Sequence, residues 1–286
     1  YLTFLQSPLR IDFANCATGL NAPIGSCADV AALIIDTASL FFATALMLST
    51  FRVLARAGAI PFLRPELVAP ILLWTVTFSY VAVPNSSIYY AYDFPELLFF
   101  ALTARLAVAA PAYAFVLPPL LLLAATCKET ALFMVPVYLI YAWCMRPRTR
   151  AQWVAAGVAA ALVVASKYAL YAYVIHYLRP DLAAAPVVYE NQVVKNLRQL
   201  ANPMAWFAWT GLYGGAAVLL AAPVAARPGL NRAIFAVIAG WMVILLAVGL
   251  PREMRLFGPM IFLLAIPLQL RVEWLLYGGA APSRPG

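Results

Sequence analysis

Lys128 and Glu129 stand between two long apolar runs, Ala112 to Ala125 and Ala131 to Met145. Ionisable side chains in such a setting ordinarily line a cavity. Successive helical residues point about 100° apart, so the two cannot pair with each other and each needs its own partner. A Lys suits an anionic group of a substrate, and a Glu can orient that substrate or hold a metal. The alternative is a short turn whose charges snorkel into headgroups. Arg252, Glu253 and Arg255 crowd a second turn, Pro251 to Arg255. Two guanidiniums offer bidentate donors to a phosphate or diphosphate, although anionic headgroups would satisfy the same turn. Asp93 follows Tyr89, Tyr90 and Tyr92 and precedes Phe94 and Pro95. That order reads as a helix cap behind an interfacial aromatic belt, and equally as a carboxylate beside hydroxyls. Asp12, Asp29 and Asp36 are the earlier acids, and any of them held in a cleft can act as a base toward a hydroxyl. Asp29 doubles as a cap. Lys167 lies mid-span and is expected to face the bundle interior.

These residues are conspicuous because of what surrounds them. Of 286 residues 65% are hydrophobic and 10% charged, whereas a soluble domain carries about 25% charged residues. Apolar segments follow one another too closely for a soluble domain to fit between them. Nineteen basic against eleven acidic residues leave +8, but the basic residues punctuate apolar runs and line no polar face. The charge therefore orients the chain in a bilayer and does not point to nucleic acid. One His and four Cys exclude a His-rich metal cage and a dense disulfide framework; Cys16 and Cys27 can form a local bridge, which spacing leaves undecided. No Gly-rich phosphate loop, Walker motif or zinc spacing occurs.

A spanning helix needs about 20 mainly apolar residues. Spans are expected at 30 to 51, 66 to 83, Phe94 to Ala109, 152 to 176, 204 to 224, 231 to 250 and 256 to 272. As one straight helix, Ala112 to Met145 would reach about 51 Å against about 30 Å of hydrocarbon. It must break at Cys127 to Thr130, because a charge at mid-membrane costs about 2.5–3.5 kcal/mol against about 0.3–0.6 gained per Leu or Val. The total is about nine spans in an all-α polytopic bundle. Pro118, Pro119, Pro136 and Pro223 are expected to kink or interrupt helices.

The break also satisfies the charge rule. Arg52, Arg56 and Arg64, then Arg146, Arg148 and Arg150, then Arg227 and Arg232, and finally Arg271 all fall on one face only if the hairpin reverses, and that face is cytoplasmic. The acids and Lys128 then collect on the other. The expected organisation is an extracytoplasmic segment over 1 to 28, a membrane domain over 29 to 276 and a cytoplasmic tail over 277 to 286. The chain opens on Tyr1 and the first segment lacks signal-peptide features, so an upstream helix is expected to be missing. Residues 187 to 201 carry an apolar face opposite Lys195 and Arg198, as an interfacial helix would.

Tyr92 and Asp93, a short helix, and then Cys127, Lys128, Glu129, Thr130, Ala131, Leu132 and Phe133 resemble bacterial polytopic proteins of the GT-C class of membrane glycosyltransferases. The turn of Arg252, Glu253, Met254 and Arg255 leading into Pro259 is similar to theirs. The resemblance covers roughly residues 85 to 272. It implies a GT-C-like bundle in the bacterial inner membrane. It further implies sugar transfer from a polyprenyl-phosphate donor at the extracytoplasmic face, with a first-loop carboxylate, here Asp12 or Asp29, as base. Asp93 is the third catalytic candidate, and Tyr92, Lys128, Glu129, Arg252, Glu253 and Arg255 are the substrate-binding ones. Mg or Mn could be held through Glu129, Asp93 or Glu253. The partners expected are the lipid-linked donor and membrane lipids. A transporter or flippase for a lipid-linked or anionic substrate is the alternative, since broken helices and buried charges suit it equally; a non-catalytic membrane subunit is the third reading.

Overall fold

The computed structural model describes residues 27–78, 93–127, 129–145, 149–173, 194, 196–198, 201, 228–248 and 258–277. Within these residues the chain is helical, with no strand. Its α-helices are α1 (Cys27–Arg56), α2 (Val68–Val76), α3 (Asp93–Ala107), α4 (Leu117–Cys127), α5 (Met134–Cys144), α6 (Arg150–Tyr173), α7 (Pro228–Val248) and α8 (Ile261–Tyr277). Short 3-10 turns lead into α2 (Pro65–Leu67), α4 (Pro111–Val116) and α5 (Glu129–Phe133). Leu33–Arg56, Arg150–Leu170 and Gly258–Tyr277 are each long and apolar enough to cross a membrane, and four shorter apolar helices accompany them. The expected span 204 to 224, the break residue Lys128, and most of the interfacial helix at 187 to 201 lie outside the described residues.

The helices expose large apolar side chains opposite their packed faces. On α1 the stripe Asp36, Ser39, Ala43, Met47, Thr50, Phe51 and Leu54 is buried, while Ile34, Phe41 and Phe42 face outward. On α6, Trp153, Val154, Leu162 and Val164 do the same. Apolar surface on that scale suits a hydrocarbon solvent. Several hydroxyls are satisfied within their own helix: Thr44, Thr50 and Thr75 donate to the carbonyls of Leu40, Leu46 and Ile71, each at 2.8 Å. That is how such residues persist where water is absent.

Helix ends follow local chemistry. α1 stops at Gly58, whose φ of 61° is open to glycine without a Cβ clash. Gly58 N–H donates to Ala55 O at 2.9 Å and Ala59 N–H to Leu54 O at 2.9 Å, the paired bonds of a Schellman motif. Phe62, just beyond, stacks on Phe51 at 4.7 Å. α6 starts at one half of a capping box: Thr149 N–H donates to Gln152 Oε1 at 3.2 Å, the side chain three residues on reaching back to the cap.

Prolines 118, 119 and 136 do not interrupt helices as the sequence suggested. They occupy the first turns of α4 and α5, where no intrahelical N–H is required and the fixed φ favours helix entry. The interior proline is Pro267 of α8. Pro223 lies outside the described residues.

The hairpin reverses. Cys127, at the end of α4, lies within electrostatic range of Glu96, near the start of α3. Thr130 hydrogen-bonds the same Glu96, and Phe133 then packs on Phe100, one turn further along α3, at 6.1 Å. α5 therefore runs back down α3. Phe100 also stacks on Phe262 of α8 at 5.4 Å, and Phe133 packs on Trp241 of α7 at 4.6 Å. This aromatic cluster joins α3, α7 and α8 to the 3-10 turn ahead of α5.

Candidate functional site

The described bundle has two chemically distinct ends. One carries the C-terminus of α1, the 57–64 loop, the α5–α6 connection and the end of α8. There Glu273, only 2% exposed, accepts hydrogen bonds from Leu63 N–H at 2.8 Å, Arg64 N–H at 2.9 Å and Gln269 Nε2 at 3.0 Å. The Gln269 amide donates in addition to Arg64 O at 3.0 Å. Arg52 and Glu66 pair on the surface at 3.4 Å. Every donor facing Glu273 is structural, so this carboxylate ties α8 to the loop and leaves no surface for a ligand. Arg271, its neighbour, lies over the Trp274 ring at 4.4 Å.

The opposite end gathers acids from separate helices. α1 supplies Asp36, and the first turn of α3 supplies Asp93 and Glu96. They are 6%, 4% and 1% exposed. Two acids three residues apart share one helix face, and the positive end of the α3 dipole favours both. Asp36 and Asp93 are close enough to interact electrostatically across the α1–α3 contact. Asp36 Oδ1 is buried and has no hydrogen-bond partner among the described residues. Thr130 Oγ1 donates to Glu96 Oε1, bringing the hairpin turn against α3. Half-buried Lys167 of α6 lies within electrostatic range of Cys127. The end thus combines carboxylates, hydroxyls, a thiol and an ammonium, the groups that bind a polyhydroxylated substrate and accept a proton from it.

Of the nine site residues expected from sequence, the structure describes the side chain of one, Asp93, and buries it in this cluster. Asp29 lies in the first turn of α1 and Glu129 opens the 3-10 turn before α5; their side chains, like all of Asp12, Tyr92, Lys128, Arg252, Glu253 and Arg255, lie outside what is described. So does the Cys16 and Cys27 pairing. Among the described residues no three His, Cys, Asp or Glu side chains are grouped to hold a metal ion.

Glu96 and Glu273 escaped the sequence reading, and Thr130 entered it only as part of the Cys127 to Phe133 motif. The three-residue spacing of Asp93 and Glu96 was the available signal for the first; nothing local marks Glu273, whose partners lie far along the chain. Neither a protein-family model, nor a curated protein sequence, nor a solved structure matches this chain.

Proposed function

We propose that the protein is an integral membrane glycosyltransferase of GT-C-like, roughly nine-span architecture. It takes sugar from a polyprenyl-phosphate donor at the extracytoplasmic face of the bacterial inner membrane. The observation that carries this reading is the buried Asp36–Asp93 pair, with one Asp36 oxygen unpartnered among the described residues, at the end of the bundle opposite the arginines. A buried carboxylate is retained against its desolvation cost where a ligand completes its bonding.

In this mechanism Asp36 or Asp93 accepts the proton of an acceptor hydroxyl. The oxygen attacks the anomeric carbon, the new glycosidic bond forms, and the bond from that carbon to the phosphate oxygen breaks. The polyprenyl phosphate leaves with the electron pair. Lys167, within electrostatic range of Cys127 at the same end, is the described cation assigned to the departing charge, and Lys128, Arg252 and Arg255 are the further cations assigned to it. Glu96 holds the hairpin turn through Thr130.

The test is transfer of labelled sugar from polyprenyl-phosphate donors in membranes holding wild type, Asp36→Asn or Asp93→Asn. Loss of general-base catalysis lowers turnover by about 10²–10⁴-fold, with insertion unchanged. Wild-type turnover in both variants sinks the assignment. Movement of the intact donor across a sealed vesicle without sugar transfer replaces the transferase with a flippase.

A further inference from the structure

Away from the carboxylate end, the flank between α5, α6 and α7 opens into a cleft of about 230 Å³ walled by Pro136, Leu139, Ile140, Trp143, Trp153 and Val237. Every wall residue is apolar or aromatic. The space exceeds the about 150 Å³ apolar cavity that stays dry and takes benzene, so it has room for several carbons of a chain. Its depth is set by the two tryptophans. Trp143 is one residue from the end of α5 and Trp153 three residues into α6, which puts the cleft in the half of the bundle nearer the arginine end. Arg150, the exposed first residue of α6, is three positions from Trp153 and shares its face. Arg146 and Arg148 precede it in sequence.

We infer that this cleft binds one acyl chain of an anionic phospholipid of the cytoplasmic leaflet, with the lipid phosphate on Arg150. Two features converge on that occupant. The walls offer a chain nothing but dispersion and burial, which excludes a polar ligand. The rim is positive, from Arg150 and from the positive end of the α6 dipole. The positive-inside rule assigns this end to the leaflet where anionic lipids collect, and basic sites between helices on that side bind their headgroups. Tryptophans at the same level fit the interface. A chain in the cleft fills the space between α7 and α5, the returning arm of the hairpin, so the lipid braces the arm that Thr130 and Glu96 hold at its other end. Nothing in this inference depends on the transfer reaction.

Native mass spectrometry of the purified protein in mild detergent, with added phosphatidylglycerol or phosphatidylcholine of identical chains, tests it. Wild type is expected to retain one phospholipid and to prefer phosphatidylglycerol at least tenfold, with a matching rise in Tm. Ile140→Trp fills the cleft and abolishes retention; if it fails to fold, Val237→Phe at the partly exposed wall is read in its place. Arg150→Gln keeps the lipid but lowers the preference at least fivefold. Equal retention of both lipids by wild type, retention unchanged by a filled cleft, or an isoprenoid bound in place of a phospholipid would each overturn the assignment.

Discussion

Glu273 and Asp36 are both carboxylates buried in apolar helices, one at each end of the bundle, and they differ in what surrounds them. Glu273 accepts from two backbone amides and a side-chain amide, all within 3.0 Å. Asp36 keeps an oxygen without a partner among the described residues and has Asp93 as an electrostatic neighbour. Burying an acid costs free energy in either place. At Glu273 the cost is offset by hydrogen bonds that hold α8 to the first loop. At Asp36 the described residues supply no such offset to one of the two oxygens, and the proposed role as base is what would account for it. Burial is therefore common to both acids; what separates them is how far the described residues satisfy their oxygens.

The sharpest way to break this comparison is Glu273→Leu. It leaves the Leu63 and Arg64 amides without their acceptor, and we expect a loss of about 3–5 kcal/mol, since hydrogen bonds to a charged group contribute about 1.5–3 kcal/mol each. Thermal or detergent denaturation reads it, and a loss under about 1 kcal/mol would remove Glu273 from its structural role. Next, Thr130→Val strips Glu96 of its hydroxyl donor and should cost about 1–3 kcal/mol, with Thr130→Ser restoring most of it. An intact Tm in the valine variant would show that the turn is held by something else. Gln152→Ala removes the capping box of α6 and should cost about 1 kcal/mol, visible as faster amide exchange at the start of that helix. The smallest stability effect is expected from Asp36→Asn, within about 0.5 kcal/mol of wild type or slightly stabilising, with sugar transfer lost where Asp36 rather than Asp93 is the base. If that variant were as unstable as Glu273→Leu, the two acids would have to be given the same role.

Much of the layout was legible in the sequence. The break at Cys127 to Thr130 followed from the cost of a mid-membrane Lys, and α4 and α5 do part there. Parity of crossings placed arginines at one end and acids at the other, and the described helices keep it in part: Asp36, Asp93 and Glu96 sit opposite Arg64 and Arg271, but Glu66 and Glu273 join the arginine end. The prolines were misread because a proline ahead of a helix and one inside it look alike in a continuous apolar run. Only the 3-10 turns at Pro111–Val116 and Glu129–Phe133 tell them apart. Glu96 was passed over because Asp93 already explained the start of α3 as a cap.

What the sequence determined by itself is the helical, lipid-facing character of the chain and the depth of each charge along its helix. Both depend on the transfer free energies of consecutive residues, which accumulate locally. What only the tertiary structure decided is the rotation of each helix and hence which side chains meet: Asp36 with Asp93, Thr130 with Glu96, and Glu273 with an amide 209 residues away. In water an amphipathic stripe would have announced those faces. Helices apolar on every side carry no such stripe, and their rotation is set by packing of small residues and a few polar contacts between distant segments.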